Sequence, residues 1–335
     1  MEKLVIRKPD DFHVHLRQGT DCGSYARDAR KAGFSRVLVM PNTLPPITSA
    51  PQLISYQRQI EVAATGLEAL MTFKVMKNMT SEDIGALKSE GALAGKLYPA
   101  GVTTNSEDGI AQVSEAFPVF EAMEDLGLVL CLHGEHPQAF SLDREKAFLP
   151  DLKKIHKNFP KLKIVLEHIS TVEGIKLVKE LGPQVGGTIT VHHLLYTLDD
   201  LLGGSLNPHL FCKPLLKRPQ DREALRGAAL SGNPKFFFGS DSAPHVRENK
   251  ESSLCSAGIY TMPVSLALLA QFYEEAKALE ALEPFVSQFG SDFYGLPPNS
   301  GTITLIKEPW VVSKLYHGVV PFRGGETLSW QVQQN

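Results

Sequence analysis

Residues 4–17 read LVIRKPDDFHVHLR: an apolar start, Leu4–Ile6, then after a charged stretch histidines at alternate positions, His13 and His15, with Arg17 just beyond. An open doubly wound sheet would place a glycine-rich phosphate loop after its first strand. Imidazoles stand there instead. Outward from this stretch, seven further strand-like runs follow: Arg36–Met40, Leu70–Met76, Leu93–Tyr98, Gly127–His133, Lys163–His168, Gly187–Val191 and Lys235–Ser240. Their β-branched and aromatic content is clear in SRVLVM, KIVLEH, GTITV and KFFFGS. Between them lie helix-period segments at Pro51–Gly66, Gln112–Gly127, Asp151–Phe159, Val172–Gly182 and Pro219–Ser231. Strands alternating with helices imply parallel βαβ units, because a parallel neighbour needs a crossover. Eight of them predict an α/β fold closed as a (β/α)8 TIM barrel.

The whole chain, 1–335, reads as one unit, with a barrel core from roughly residue 4 to 300. Pro263–Ala281 continues as helix. The remainder, 301–335, reads as a packed tail of short β-like pieces broken by Pro309 and Pro321. A composition 43% hydrophobic and 21% charged excludes disorder, collagen-like repeats and coiled coil. Lys+Arg 34 against Asp+Glu 37 lacks the basic excess of a phosphate-neutralising protein, so no nucleic-acid partner is expected. Four scattered cysteines with no C-x-x-C pair give neither a disulfide framework nor a cysteine zinc site. No run of 18 apolar residues occurs, and acidic residues interrupt the start, so no membrane partner and a cytoplasmic location are expected.

Catalytic groups of a barrel gather at the C-terminal ends of its strands. Alternation along the first strand sends His13 and His15 to the same side, a metal-ligand arrangement, although such a pair alone also suits hydrogen-bonded surface histidines. The other strand ends decide: the fourth offers Lys96 among apolar residues, the fifth His133, the sixth His168 and the eighth Asp241. Four histidines and an aspartate exceed one tetrahedral zinc and suit two metals about 3.5–4 Å apart. Such a pair needs a bridging anion, and Lys96 stands where one would have to come from. A carbamate formed on it from CO2 would be a bridging carboxylate on a long stem.

The order HxH, Lys, His, His, Asp resembles the binuclear pattern of the amidohydrolase superfamily. The finer blocks DDFHVHLRQG (10–19), MPNT (40–43), GKLYPAGVTTNS (95–106), FCKPLLKR (211–218) and GSDSAPH (239–245) resemble the dihydroorotase family. That resemblance implies two Zn2+ per subunit, one held by His13, His15, carboxylated Lys96 and Asp241, the other by Lys96, His133 and His168. It implies Asp241 as general base then acid, and a small-molecule substrate, N-carbamoyl-L-aspartate closing reversibly to L-dihydroorotate in pyrimidine synthesis. Such a substrate carries carboxylate, for which Arg17, Asn42 and His245 are the expected site. Thr103 and Thr104 are expected in a loop over the substrate, and Lys213 and Ala257 as further substrate contacts. The resemblance also suggests a homodimer. His192 and His193 follow the seventh strand at the correct rim, but the pattern uses no ligand there; they are expected beside the ligands or in the core.

Only twelve residues precede His13, which points to the smaller type of enzyme, without an N-terminal β-sandwich. Two rival readings are a hydantoinase-like cyclic amidase and a catalytically inactive homologue acting as scaffold. A neutral ring has no use for Arg17, and the filled ligand positions argue against the scaffold.

Overall fold

The computed structural model describes residues 2–334, so the outermost positions of the unit expected from the sequence, Met1 and Asn335, lie outside the described residues. Eleven strands are named here in chain order. β1 (Lys3–Arg7) precedes eight barrel strands: β2 (Asp10–Val14), β3 (Arg36–Val39), β4 (Glu68–Lys74), β5 (Ala92–Leu97), β6 (Val129–Leu132), β7 (Ile164–Leu166), β8 (Val185–Ile189) and β9 (Phe236–Phe238). β10 (Thr302–Val311) and β11 (Thr327–Val332) complete the set. β2 to β9 pair in sequence order, all parallel, with helices in the crossovers. The ring closes where Asp241 N donates to His13 O (2.9 Å) and His15 N to Ser242 O (3.0 Å). The fold is therefore a (β/α)8 barrel.

The run read as one strand, residues 4–15, is two. Pro9 lacks an N–H and cannot continue a ladder. The chain turns there, and β1 leaves to pair antiparallel with β10, which pairs antiparallel with β11. The barrel proper thus begins at Asp10, and strands from residues 302–332 join the N-terminus in a three-stranded sheet. Pro309 does not end β10; the pairing with β11 shifts register between Lys307 and Trp310, a bulge that accommodates the missing donor. This sheet shares the main core through Leu305, Leu328 and Trp330. The segment expected as helix over Asp151–Phe159 begins earlier, in a helix spanning Arg144–Asn158 that contains Pro150.

Two apolar clusters show which way each strand residue faces. One fills the space between sheet and helices. The other, inside the barrel, gathers Phe12, Leu38, Met40, Leu70, Ala94, Val129, Cys131, Val165 and Phe237 around Tyr294, with Phe12 stacked on Tyr294 at 4.9 Å. Stepping by two from these interior residues toward the C-terminal rim reaches Lys96 from Ala94, His133 from Cys131, Glu167 from Val165, Asp241 from Phe237 and Asn42 from Met40. On β2 the pairing shifts between Asp11 and Val14, which lets Phe12 and His13 both face inward while Val14 packs outward. Gly239 leaves room for this arrangement: a Cβ there would come 2.9 Å from Thr188 and 3.1 Å from the Cβ of His13. No helix among the described residues is long and apolar enough to cross a membrane.

Candidate active site

Among the described residues, two groups place metal-ligating atoms within 4.8 Å of one another: His13, His15 and Asp241, and separately His192, His193 and Cys212. The first sits at the barrel rim. Asp241 Oδ1 lies 3.1 Å from His15 Nε2 and 3.3 Å from His13 Nε2. Burial alone would raise the pKa of Asp241. The hydrogen bond from His15 and the electrostatic influence of the donor groups on His13, His15 and Lys96 outweigh it and hold the carboxyl at about 2. Burial drives His13 and His168 well below the usual imidazole range, so both are neutral, the form in which a histidine binds metal.

His133 and His168 complete the ring of donors. His168 lies 5.1 Å from His13 and 4.7 Å from His133, measured between ring centroids. Glu135 engages His133 Nε2 at 2.8 Å, which leaves Nδ1 to meet a cation. Lys96 is fully buried, and its Nζ has no hydrogen-bond partner. Desolvation lowers its pKa and outweighs the opposing influence of Glu167, Cys131 and Asp241, and no acceptor lies within hydrogen-bond reach of the amine.

Two of the residues expected as ligands are held in backbone conformations that L-residues rarely adopt: His168 at φ 40° and Asp241 at φ 47°. At His168 the consequence is direct. Alternation from Val165 sends Glu167 inward, and the turned backbone at residue 168 brings the next side chain to the same rim. Glu167 was missed by the sequence reading, which took the strand end as histidine. Its Oε2 accepts from His13 Nδ1 (2.8 Å) and from Thr188 Oγ1 (2.7 Å), fixing the ring so that Nε2 faces Asp241. The period-two count from Val165 is the signal that finds it. Glu167→Gln, which removes the charge but keeps an acceptor, is expected to weaken metal retention roughly 10- to 100-fold. Chelator competition measures this, and an unchanged melting temperature separates it from misfolding.

Around this core lies a cavity of about 300 Å³ lined by His15, Arg17, Asn42, Thr104, Asn105 and His245, among others. Arg17 Nε donates to Pro244 O (2.8 Å), and its Nη2 lies 2.9 Å from His245 Nε2. That same Nε2 is 3.0 Å from Ala257 O. Arginine only donates, so a neutral His245 either accepts from Arg17 or donates to Ala257. Burial, then the charges of Arg17 and Lys250, hold its pKa down to about 3. Asn42 bridges the ligands to the neighbouring loop: Oδ1 meets His15 Nδ1 at 2.7 Å, and Nδ2 donates to Thr104 O at 3.3 Å. Thr103 stands apart from this cavity, its backbone N–H bonded to Ser106 Oγ. Lys213 and the Ala257 side chain also stand outside its lining.

A model of the amidohydrolase family matches residues 11–316, and the chain belongs to that family. Within it, this is an enzyme chain closely related to dihydroorotases. It is 45% identical to the dihydroorotase of Teredinibacter turnerae over 99% of each chain. Its structure matches a dihydroorotase from Saccharomyces cerevisiae solved with 5-fluoroorotic acid, with TM-score 0.94, 38% identity and 99% of each chain covered. It matches the dihydroorotase of Campylobacter jejuni with TM-score 0.92 and 38% identity, over 99% of this chain and 98% of that one.

Proposed function

We propose that this chain is a dihydroorotase, interconverting N-carbamoyl-L-aspartate and L-dihydroorotate at a binuclear metal centre in pyrimidine synthesis. The observation that carries this reading is the Arg17 guanidinium beside a rim of converging imidazoles and Asp241, a carboxylate fork next to a metal-donor set. The donors fit two cations. His13, His15 and Asp241 would hold one, His133 and His168 the other, and Lys96 would bridge both as its carbamate. Zinc suits such an imidazole and carboxylate set. When bound, the metals supply an acidified water and polarise the ring carbonyl.

The bare Lys96 amine supports the bridge. Desolvation favours the neutral form, whose lone pair can add to the carbon of CO2. A new N–C bond forms, one amine proton leaves to solvent, and the product is an anion where two cations need one. Asp241 directs its contacts to His13 and His15 through Oδ1, so Oδ2 is free to take a proton from the attacking water and pass it to the departing ring nitrogen. Arg17, with Asn42 and His245, would bind the carboxylate that ring and open chain share. A carboxylate taking the Arg17 donors would free His245 Nε2 to donate to Ala257 O. Thr103 and Thr104 would add contacts from the loop above, with Lys213 and Ala257 on the ring's far side. A homodimer and a cytoplasmic setting belong to the same reading, supported by the family likeness.

The test is ring opening of dihydroorotate, followed at acid and alkaline pH with and without chelator. Opening creates a second carboxylate and releases a proton near neutrality, so the apparent equilibrium should shift about tenfold per pH unit toward the open chain as pH rises. Hydrolysis of unsubstituted dihydrouracil as fast as dihydroorotate would overturn the assignment in favour of a neutral-ring amidase. Arg17→Met is expected to raise KM for dihydroorotate by about 100-fold, the scale of losing charge-assisted hydrogen bonds. Steady-state kinetics should show kcat far less affected.

A further inference from the structure

Beyond β8 the chain enters a five-residue helix, Val191–Leu195, capped by Thr190. It carries two adjacent histidines to which the catalytic reading assigns nothing. Both are buried, His192 completely. Neither ring nitrogen of His192 has a hydrogen-bond partner, and neither does Nε2 of His193. Buried polar groups are nearly always paired, so three orphaned imidazole nitrogens in rings only 4.6 Å apart need an explanation. Cys212, also buried, comes from a loop about one helix away in sequence, and one donor atom from each of the three side chains lies within 4.8 Å of the others.

We propose that His192, His193 and Cys212 form a third metal site, holding a single thiophilic divalent cation, zinc above all. Two imidazoles and a thiolate are soft to borderline ligands; they select zinc over magnesium or calcium, which require oxygen. The surroundings are prepared for it. His193 Nδ1 lies 2.7 Å from Thr190 Oγ1, and donation to that hydroxyl leaves the Nε2 lone pair for the cation, the usual partnership behind a metal-bound histidine. Burial holds His193 down to about 4 and His192 well below the imidazole range, so both nitrogens are unprotonated and ready. Burial also lifts the Cys212 thiol to about 12, so binding must expel its proton, and the thiolate so formed supplies the one negative charge of the set. That charge also offsets Lys217, which bears on His193.

The cation would join the end of β8 to the loop carrying Cys212 and Lys213. It would thus act as a structural clip and not as a catalytic metal. The proposal stands independently of the catalytic reading, because it uses none of the residues placed there as ligands and its readout is not turnover.

The test strips the whole protein of metal, reconstitutes it with cobalt(II), and measures metal content and the near-ultraviolet spectrum. The expected result is three equivalents per chain and an intense thiolate-to-cobalt charge-transfer band. Cys212→Ser and His192→Gln should each lose the band and one equivalent while keeping the other two. Two equivalents without a band in the unmodified protein would overturn the proposal, as would a band that survives both substitutions. If either variant fails to fold, X-ray absorption of the zinc-loaded unmodified protein decides. A zinc–sulfur shell at about 2.3 Å, averaging one sulfur per three zincs, supports the site, and a shell with nitrogen and oxygen only refutes it.

Discussion

Replacing Lys96 with alanine should yield a folded barrel that no longer retains its paired metals and has lost on the order of 10⁴-fold or more in turnover, the scale seen when one member of a cooperating catalytic set is removed. The expectation follows from position and environment. Lys96 stands on the interior face of β5, fully buried, with its amine unpartnered among neutral imidazoles. Without that carbamate, Asp241 would be the only anion among the proposed ligands to offset two cations. Alanine removes the bridge, whereas a structural lysine would be missed only for its packing. The fold should tolerate the change, because what is deleted is a desolvated polar group that contributes no hydrogen bond to the barrel. Metal analysis, kcat and circular dichroism together decide the matter. A Lys96→Ala enzyme with two metals and normal turnover would sink the bridging role.

The second large effect is expected at Asp241. Asp241→Asn should lower kcat by about 10³-fold, within the usual range for a general acid–base group. Its melting temperature should stay close to that of the parent. The backbone at 241 sits at φ 47°, and asparagine is among the few residues that accept this conformation readily. It also keeps an oxygen for His13 and His15. A β-branched residue is a different case. Asp241→Val would force that side chain into the left-handed region at a cost of about 1–3 kcal/mol, and would leave His15 Nε2 without its partner. Parallel thermal melts and rate measurements on the two variants separate chemistry from folding. Equal loss of stability in both would mean that Asp241 matters for the barrel more than for the reaction.

The barrel was legible because its strands are buried on both faces and therefore read as continuous apolar runs, and because most strand ends carry a titratable residue against an apolar background. The rest was hidden for identifiable reasons. The helix Thr20–Lys31 buries Cys22, Gly23, Tyr25, Ala26 and Ala29, of which only Tyr25 is large, so its buried face carries few of the bulky apolar residues by which the other helices were read. The division at Pro9 was obscured because strand formers stand on both sides of it, Val5 and Ile6 before and Phe12 and Val14 after, although they serve different sheets. At the site, His13, His15 and Asp241 follow from alternation, and so does Glu167 when the count starts from Val165. His168 does not, since it follows Glu167 directly and reaches the same rim only because its own backbone turns through positive φ. His192 and His193 were visible as residues but not as a pair with Cys212. That proximity depends on how a loop nearly twenty positions later folds back, which no local pattern encodes.

The order of the barrel strands has a consequence for how the protein comes into being. β2 carries His13, with His15 just past its end, yet β9, on whose side the ring closes, is synthesised more than two hundred residues later. Throughout elongation on the ribosome β2 therefore has an open edge, and β1 waits longer still, for β10. A nascent chain short of Asp241 holds five of the six proposed ligands in a ring that cannot close. Metal loading is thus tied to completion of the chain, and shortened products should be recognised by the cell's quality control as open sheets, not as partly active enzyme.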